Sequence, residues 1–179
     1  RALAMVEVAL AQAGLEREAV ECLAVGLGPG SYTGIRAAIS LAQGWQLARG
    51  VRLLGVGSIE CLAAQAQSQG RRGRAHFIID AERNEFYLAT FDLTASERRV
   101  VEPLRLVPAE EVRQRLAHGE TVMGPEAGRT FANAVEWYPA AAVLAQLAAG
   151  RSDFVSGDKL TPIYLREVSF VKAPPPRLD

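Results

Sequence analysis

A glycine-rich stretch contains the first residues that could do chemistry: positions 26–36 read Gly-Leu-Gly-Pro-Gly-Ser-Tyr-Thr-Gly-Ile-Arg. Stretches of this kind hold phosphates when backbone amides and a lysine converge on them. The P-loop pattern requires Gly-Lys-Ser/Thr at its end, whereas Ile35 follows Gly34 here and no lysine is near. The dinucleotide-binding pattern also fails, because Ser31 occupies the position of its third glycine. The sequence therefore predicts neither a P-loop nor a dinucleotide-binding site here.

Two interpretations of this stretch remain. It is a tight strand-to-helix turn, in which glycine allows positive φ and Ser31 or Thr33 caps the helix that follows. Alternatively, the free amides at the start of that helix bind an anion. The residues that both interpretations use are Gly28, Gly30, Ser31, Thr33 and Gly34.

Catalytic groups are sparse in the rest of the sequence. The only two histidines, His76 and His118, lie in different predicted elements and cannot form a metal-binding pair one helical turn apart. Ser31 has no His or Lys nearby in sequence and lacks the spacing of a nucleophile elbow. Cys22 and Cys61 have apolar neighbours and are expected to pack as small hydrophobic residues. We therefore expect neither a metal nor a catalytic residue on this chain.

An acidic turn at positions 80–85, Asp-Ala-Glu-Arg-Asn-Glu, is the remaining candidate for nucleotide chemistry. Asp80 could bind Mg²⁺, but Glu82 and Glu85 would repel a triphosphate. The turn also has no glycine to let its backbone approach a phosphate closely. We expect no nucleotide turnover, and an ATPase activity of the isolated protein that Asp80→Ala abolishes would contradict this expectation.

Hydrophobic periodicity predicts the elements that position these residues. In the first part, the predictions are a helix over 1–14, a strand over 21–28, a helix over 33–49, a strand over 51–57 and a helix capped by Ser58. After a polar joint over 69–74, they are strands over 75–80, 85–92 and 99–107, a helix over 108–116, a strand over 121–124 and a helix over 139–150. The turn between 80 and 85 indicates a hairpin, and helices that alternate with apolar strands indicate an α/β fold.

The two halves align if the first lacks three strands before Arg1, which suggests an internal duplication. The predicted divisions are lobe one over 1–70, lobe two over 71–151, and a C-terminal segment with a proline-rich tail over 152–179.

Composition limits the function classes. Twenty basic residues balance twenty acidic ones, whereas a chain that grips nucleic acid alone usually carries a basic surplus. No apolar run approaches the roughly 20 residues of a membrane span, and no signal-peptide pattern is present. Two cysteines do not make a disulfide framework, which fits a reducing cytoplasm.

The first two helices carry more apolar surface than one core face requires. In the first helix, Leu3, Val6, Leu10 and Ala13 are expected to face the chain's own sheet. In the second, that role falls to Ile35, Ala38, Ile39, Ala42 and Trp45. The apolar or small residues left over are Met5, Val8, Ala9, Ala37, Ser40, Leu41, Gly44 and Ala48. These residues either contact a partner protein or are buried beneath the chain's own layers.

The polar joint carries three arginines, Arg71, Arg72 and Arg74. They form either a solvated hinge loop or a contact to nucleic-acid phosphates.

The stretch from Gly28 to Arg36, together with Gly-Val-Gly-Ser at 55–58, resembles the TsaB (YeaZ) family. Pro-Ile-Tyr-Leu-Arg at 162–166 and the turn at 80–85 resemble other parts of that family, in the same order. The resemblance covers nearly the whole chain and implies a duplicated actin-like (ASKHA) two-lobe fold of α/β class. The family's first strands, with their Asp-Thr-Ser turn, are absent from this sequence.

The resemblance implies that the chain is a non-catalytic cytoplasmic subunit required for tRNA N6-threonylcarbamoyladenosine (t6A37) formation. Such a subunit is expected to scaffold and activate a TsaD-type transferase, alongside a TsaE-type ATPase, or to form a homodimer. ATP and a metal ion are expected on the partner subunits, and tRNA is expected to bind only through the complex. Because this family pairs through two helices of lobe one, the resemblance favours the partner surface. The alternative is an actin-like phosphotransferase, ATPase or protease-like enzyme that acts alone.

Overall fold

The computed structural model describes residues 2–165, which begin with an α/β unit around a short parallel sheet. Strands β1 (Cys22–Gly26) and β2 (Arg52–Val56) pair in parallel, with Leu23 opposite Leu53. The helices of this unit are α1 (Ala2–Ala13), α2 (Tyr32–Arg49) and α3 (Ser58–Ser68), and a 3₁₀ turn spans Arg17–Ala19. The order helix, strand, helix, strand, helix is the predicted one.

Helix α2 begins one residue before the predicted start and ends at the predicted residue, and it uses one of the two predicted caps. Ser31 is the N-cap, and its hydroxyl accepts a hydrogen bond from the Gly34 amide at 3.2 Å. Gly50 ends the helix with a φ of +70°, a conformation that costs glycine little. Helix α3 differs, because Gly57 is its N-cap and no side chain caps it. The predicted cap at Ser58 was wrong, since the chain is extended only through Gly57 and Ser58 is already helical.

The second part of the chain forms a five-stranded sheet with strand order β5-β4-β3-β6-β7. Its elements are β3 (Gly73–Asp80), β4 (Glu85–Leu93), β5 (Arg98–Pro108), α4 (Ala109–Ala117), β6 (Val122–Gly124), α5 (Ala127–Thr130), β7 (Val135–Glu136) and α6 (Ala141–Ala149). Strands β3 and β4 form the predicted antiparallel hairpin, and β6 pairs in parallel with both β3 and β7. Helix α5 and strand β7 were not predicted, because four and two residues are too few to show a periodicity.

Both faces of the five-stranded sheet are covered. Along β3, Phe77 and Ile79 point to the side where α3 packs, and Ile78 points to the side where α4 packs. Alternate side chains of a strand point to opposite faces, so a run of buried residues such as 75–79 requires a layer on each face. The sheet is therefore the centre of a three-layer arrangement.

Helices α3 and α6 connect the two sheets. Helix α3 follows β2 in the chain, yet its side chains Ile59, Leu62 and Ala66 join the core of the five-stranded sheet. Helix α6, which the sequence groups with lobe two, contacts β1, β2 and α3. The lobe boundary at residue 70 stays a prediction, since each sheet takes one covering helix from the other side of it.

A segment over 155–163, with one isolated β-bridge at Val155 and a 3₁₀ helix over Gly157–Lys159, packs on the first sheet. The Val155 amide donates to the Leu53 carbonyl and the Ile163 amide to the Leu27 carbonyl, both at 2.9 Å. Leu160 is buried in the core of this sheet. Predictions on Arg1, on Arg166 and on the proline-rich tail within 166–179 lie outside the described residues.

The two predicted core stripes on α1 and α2 have different outcomes. The α2 stripe is confirmed, since Ile39 and Ala42 are buried and its other members pack against them. The α1 stripe was partly wrong, because Leu3 is 50% exposed and Ala13 is also exposed. Helix α1 packs mainly on α2, which covers only part of its apolar side. No helix among residues 2–165 combines the length and the apolar character needed to cross a bilayer.

Candidate functional site

Helices α1 and α2 expose apolar and small side chains, and we call this surface the α1–α2 face. Met5 is 73% and Val8 is 57% exposed. Of the predicted interface residues only Leu41 is partly buried, and the rest are exposed. The face comprises Met5, Val8, Ala9, Ala37, Ser40, Leu41, Gly44, Leu47 and Ala48. The chain's own layers therefore leave this surface open within the described residues, and contact with a partner stays a prediction.

Leu47 is the most exposed large apolar residue of the face, at 89%, and sequence reasoning missed it. It lies three residues beyond Gly44 and seven beyond Ser40, so it shares their side of the helix. The periodicity contained this signal, but the predicted stripe was chosen for small residues.

The α1–α2 face has little charge, and the packing of the described residues does not explain its glycine, Gly44. Helix α2 has no acidic residue, and Arg49 at its end pairs with Glu18 at 3.2 Å. On α1, Glu7 pairs with Arg17. A Cβ added at Gly44 would meet no atom within 4 Å. Packing within the described residues therefore does not require glycine there.

The glycine-rich turn is held together by its own contacts. A Cβ at Gly28 would lie 2.7 Å from the end of the Ile35 side chain, and φ at Gly28 is +92°. The Gly28 carbonyl accepts a hydrogen bond from the Ser58 amide at 2.8 Å, which ties the turn to the start of α3. Gly30 has a φ of +155°, and Thr33 is exposed without being the cap. These contacts explain the turn's glycines structurally, and anion binding there stays a prediction.

His76 is buried on β3 and used for structure. Its Nδ1 lies 2.8 Å from the Thr90 hydroxyl and 2.9 Å from an Arg115 nitrogen, and its Nε2 lies 2.9 Å from a Glu120 oxygen. A neutral ring whose Nδ1 accepts from Arg115 fits these contacts, while Nε2 lies beside the Glu120 carboxylate without a hydrogen bond among the described residues. Burial, followed by the charge of Arg115, lowers the pKa of His76. His118 is exposed at the end of α4, so the two histidines do not meet.

An ionic network extends from Arg115 along α4 and β5. Arg115 bonds to Glu102 and Glu111 at 2.9 Å, and Arg105 bonds to the same two carboxylates. The hydrogen bonds from Arg105 lower the pKa of Glu111 to about 2. The network joins β5 to α4. Its charged side chains pair with one another, so they are less available to a ligand.

The acidic turn has an unusual backbone. Glu82, Arg83 and Asn84 have φ values of +62°, +57° and +62°, and the Asp80 carboxylate accepts the Glu82 amide at 2.7 Å. The Asn84 carbonyl accepts the Ala109 amide at 3.0 Å, which joins the turn to the start of α4. Within the described part of the chain, no three His, Cys, Asp or Glu side chains are grouped so that they could hold a metal ion.

The cavity between the two sheets is apolar. It has a volume of about 270 Å³ and lies between the glycine-rich turn and β4–β5, with Pro29, Ile59, Phe91, Leu104 and Ile163 in its wall. Glu60 is the charged residue in this wall. A nucleotide triphosphate would lose hydration there without gaining a cation in return.

The predicted arginine cluster is only partly free. Arg72 donates to the carbonyls of Gln67 and Arg71 at 2.9 and 2.6 Å. Arg74 lies 3.4 Å from the Asp92 carboxylate, which also pairs with Arg99. Arg71 is exposed. These contacts reduce the charge that the loop presents, and its role as a tRNA contact stays a prediction.

Tyr32, Arg36 and Tyr164 form a surface group that sequence reasoning missed, and we call it the Tyr–Arg cluster. The two rings lie 5.8 Å apart between centroids and are tilted by 35°. The Arg36 guanidinium lies 4.3 Å from the Tyr32 ring centroid, and its Nε donates to the Tyr164 hydroxyl at 3.2 Å. This hydrogen bond raises the pKa of Arg36. A separation of 128 residues between Arg36 and Tyr164 left no signal of their contact in the sequence.

Comparisons with known proteins agree with each other. The tRNA N6-adenosine threonylcarbamoyltransferase (TsaD) family matches residues 1–133. The chain is 28% identical to the tRNA threonylcarbamoyladenosine biosynthesis protein TsaB of Escherichia coli (strain K12), over 97% of this chain and 83% of that protein. It is 33% identical to the TsaB protein of Haemophilus influenzae over 89 residues, which are 50% of this chain and 38% of that protein.

Solved structures include a similar Pseudomonas aeruginosa protein, described as uncharacterized with similarity to peptidase YeaZ. The TM-score is 0.73 and the sequence identity 28%, over 92% of this chain and 82% of that one.

Proposed function

The chain belongs to the tRNA N6-adenosine threonylcarbamoyltransferase (TsaD) family and, within it, to the TsaB (YeaZ) group, and from this we propose that it is a non-catalytic subunit that scaffolds and activates a TsaD-type transferase. The predicted resemblance and the actin-like α/β fold are confirmed by these comparisons. The names of the relatives support a role in tRNA threonylcarbamoyladenosine biosynthesis.

The observation that carries this proposal is the α1–α2 face. Leu47 on α2 and Met5 on α1 expose most of their apolar surface to solvent. Larger exposed apolar patches on soluble proteins mark interaction sites. A TsaD-type subunit is the occupant we propose, because its own family matches this chain and a related fold can present an equivalent pair of helices. Gly44 allows such a helix to approach closely. A second copy of this chain is the other possible occupant.

The remainder of the chain supports a binding role rather than a reaction. His76 is occupied by Thr90, Glu120 and Arg115, and the cavity between the sheets is apolar. ATP turnover and its metal ion are accordingly proposed for the TsaD-type and TsaE-type partners. tRNA is proposed to reach this chain only within the assembly.

The test measures binding of a TsaD-type subunit to Leu47→Glu and Gly44→Arg variants by calorimetry. A charge buried in an apolar interface is expected to cost at least about 2 kcal/mol, which is roughly 30-fold in Kd. Both positions are exposed, so neither variant should lower the free energy of unfolding of the isolated chain by much. Leu41→Glu should act in the same direction, with some loss of stability because Leu41 is partly buried.

Tyr138→Glu is the matched control, since Tyr138 is 48% exposed on the other part of the molecule. This variant should bind the TsaD-type subunit normally. Normal binding by both Leu47→Glu and Gly44→Arg would reject the α1–α2 face. If these variants instead change only the sedimentation of the isolated chain, the face is a homodimer contact.

A peptidase or phosphotransferase that acts alone is the second candidate, because one similar structure is described by its likeness to a peptidase. Peptide and ATP hydrolysis by the isolated chain test it. Turnover that is lost on Ser31→Ala or Asp80→Ala would favour the enzyme, whereas background rates with full restoration of tRNA modification by chain plus TsaD-type subunit would favour the scaffold.

A further inference from the structure

The Tyr–Arg cluster has a shape and charge that fit a nucleotide. We propose that Tyr32, Arg36 and Tyr164 bind an unpaired nucleotide of RNA, with the base stacked on a tyrosine ring and the phosphate held by the guanidinium. This inference rests on the proposed function, which brings tRNA to the assembly, and it assigns one contact of that tRNA to this chain.

The stacking surface is the first argument. Tyr32 is 56% and Tyr164 is 46% exposed, although tyrosine rings are usually more buried. Their mutual tilt and their separation of 5.8 Å leave ring surface of both accessible to a third planar group. Stacking of a base on an aromatic ring contributes about 5- to 150-fold in affinity per base and tolerates any base.

The guanidinium is the second argument. The Nε atom of Arg36 is used on Tyr164, and among residues 2–165 its two terminal nitrogens have no hydrogen bond or ion pair. Many arginines of this chain are instead paired with carboxylates, such as Arg105 with Glu111 and Arg151 with Asp153. A guanidinium fork with both terminal nitrogens available matches two oxygens of a phosphate. Its stacking on Tyr32 holds the side chain in place before a ligand binds.

The local charge favours an anion. The sequence has no acidic residue between Glu21 and Glu60, the stretch that supplies Tyr32 and Arg36. None lies between Asp158 and Leu165, the stretch that supplies Tyr164. A phosphate at Arg36 therefore meets no carboxylate from either stretch. RNA satisfies the rings and the charge together, whereas an apolar protein surface would satisfy the rings alone.

The experiment uses a fluorescein-labelled RNA hairpin with a single-stranded, adenosine-containing loop, and the same RNA closed into a full duplex. Binding is measured by anisotropy at several salt concentrations, for the chain alone and with a TsaD-type subunit. Tyr32→Ala and Tyr164→Ala should each weaken hairpin binding about 5- to 150-fold, and Tyr32→Phe should restore it because the ring remains. Arg36→Gln should reduce the salt dependence of binding by about one phosphate contact.

Tyr138→Ala is the control, since it removes a similarly exposed tyrosine outside the cluster. The proposal would be overturned if Tyr138→Ala weakened hairpin binding as much as the cluster variants do. It would also be overturned if those variants weakened duplex binding equally, or if Tyr32→Ala left hairpin binding unchanged. Displacement of the hairpin by an equal concentration of free AMP would also overturn it, by identifying free nucleotide as the ligand.

Binding of the TsaD-type subunit is measured separately on each variant. Loss of that binding with unchanged RNA affinity identifies a protein contact instead, and absence of subunit binding in the unmutated chain is a failure of the proposed function alone.

Discussion

The two sheets differ in how completely the chain covers its own apolar surface. The five-stranded sheet has a layer on each face, and its core side chains, such as Phe77 and Ile78, are fully buried. The two-stranded sheet is covered by α2 and by the segment that contains Leu160, but α1 lies outside this core. Exposed Met5 lies on α1, and exposed Leu47 lies on α2 outside this core.

This contrast separates stability from recognition. In the five-stranded part, buried area and the ionic network around Arg115 stabilise the fold by themselves. In the α1–α2 face, we expect the apolar area that the rest of residues 2–165 leaves exposed to be buried by another surface. Substitutions should therefore affect unfolding in one region and binding in the other.

The largest effect on stability is expected for Phe77→Ala. Phe77 is fully buried between α3 and the sheet, so its truncation should cost about 3–5 kcal/mol in the free energy of unfolding. Urea denaturation of the full chain measures this cost. Leu47→Ala is the matched truncation on the exposed face and should change it by less than about 0.5 kcal/mol. Similar losses for the two variants would break the comparison.

The next effect is a pH dependence specific to the ionic network. The folded-state pKa of Glu111 is about 2 against an ordinary value of 4.5, so its ionised form stabilises the fold above pH 4.5. That contribution is lost as the pH falls from 4.5 to 2. Glu111→Gln should therefore be about 2 kcal/mol less stable than the unmutated chain at pH 7 and nearly equal to it at pH 2. Urea midpoints across this range test the difference.

Glu110→Gln is the control for this measurement, because Glu110 is exposed and pairs only at the surface with Arg113. A second, separate decline is expected below pH 6.5 in all three proteins. Burial lowers the pKa of His76, so the unfolded chain takes up a proton there before the folded chain does. If the stability difference between Glu111→Gln and the unmutated chain is as large at pH 2 as at pH 7, the network does not stabilise the fold by charge.

The smallest expected effect is that of Gly44→Ala, and Gly124→Ala is its contrasting control. A Cβ at Gly44 meets open space, so Gly44→Ala should stabilise the isolated chain by up to about 1 kcal/mol while weakening binding of the TsaD-type subunit. A Cβ at Gly124 on β6 would lie 2.0 Å from the Ile78 carbonyl oxygen, so Gly124→Ala should destabilise. Thermal unfolding measures the stability of both variants. An unchanged affinity in Gly44→Ala would show that no helix approaches closely at that position.

Local patterns predicted most elements, and their failures were non-local. The α2 core stripe was correct, because the sheet lies directly beneath it. The α1 stripe failed at Leu3, because periodicity identifies an apolar side but does not tell how much of it another element covers. Leu47 was missed for a related reason, since size and not exposure selected the predicted residues.

The sequence by itself determined the α/β order of elements, the hairpin at 80–85, a helix cap at Ser31 or Thr33 and the family resemblance, because each depends on neighbouring residues or on a contiguous motif. Only the tertiary structure decided that α3 and α6 join the two sheets, that His76 is enclosed by Arg115 and Glu120, and that Tyr164 meets Arg36. These arrangements bring together residues that are distant along the chain. Spacing in the sequence contains no information on such pairs, since the packing of whole elements sets their distances.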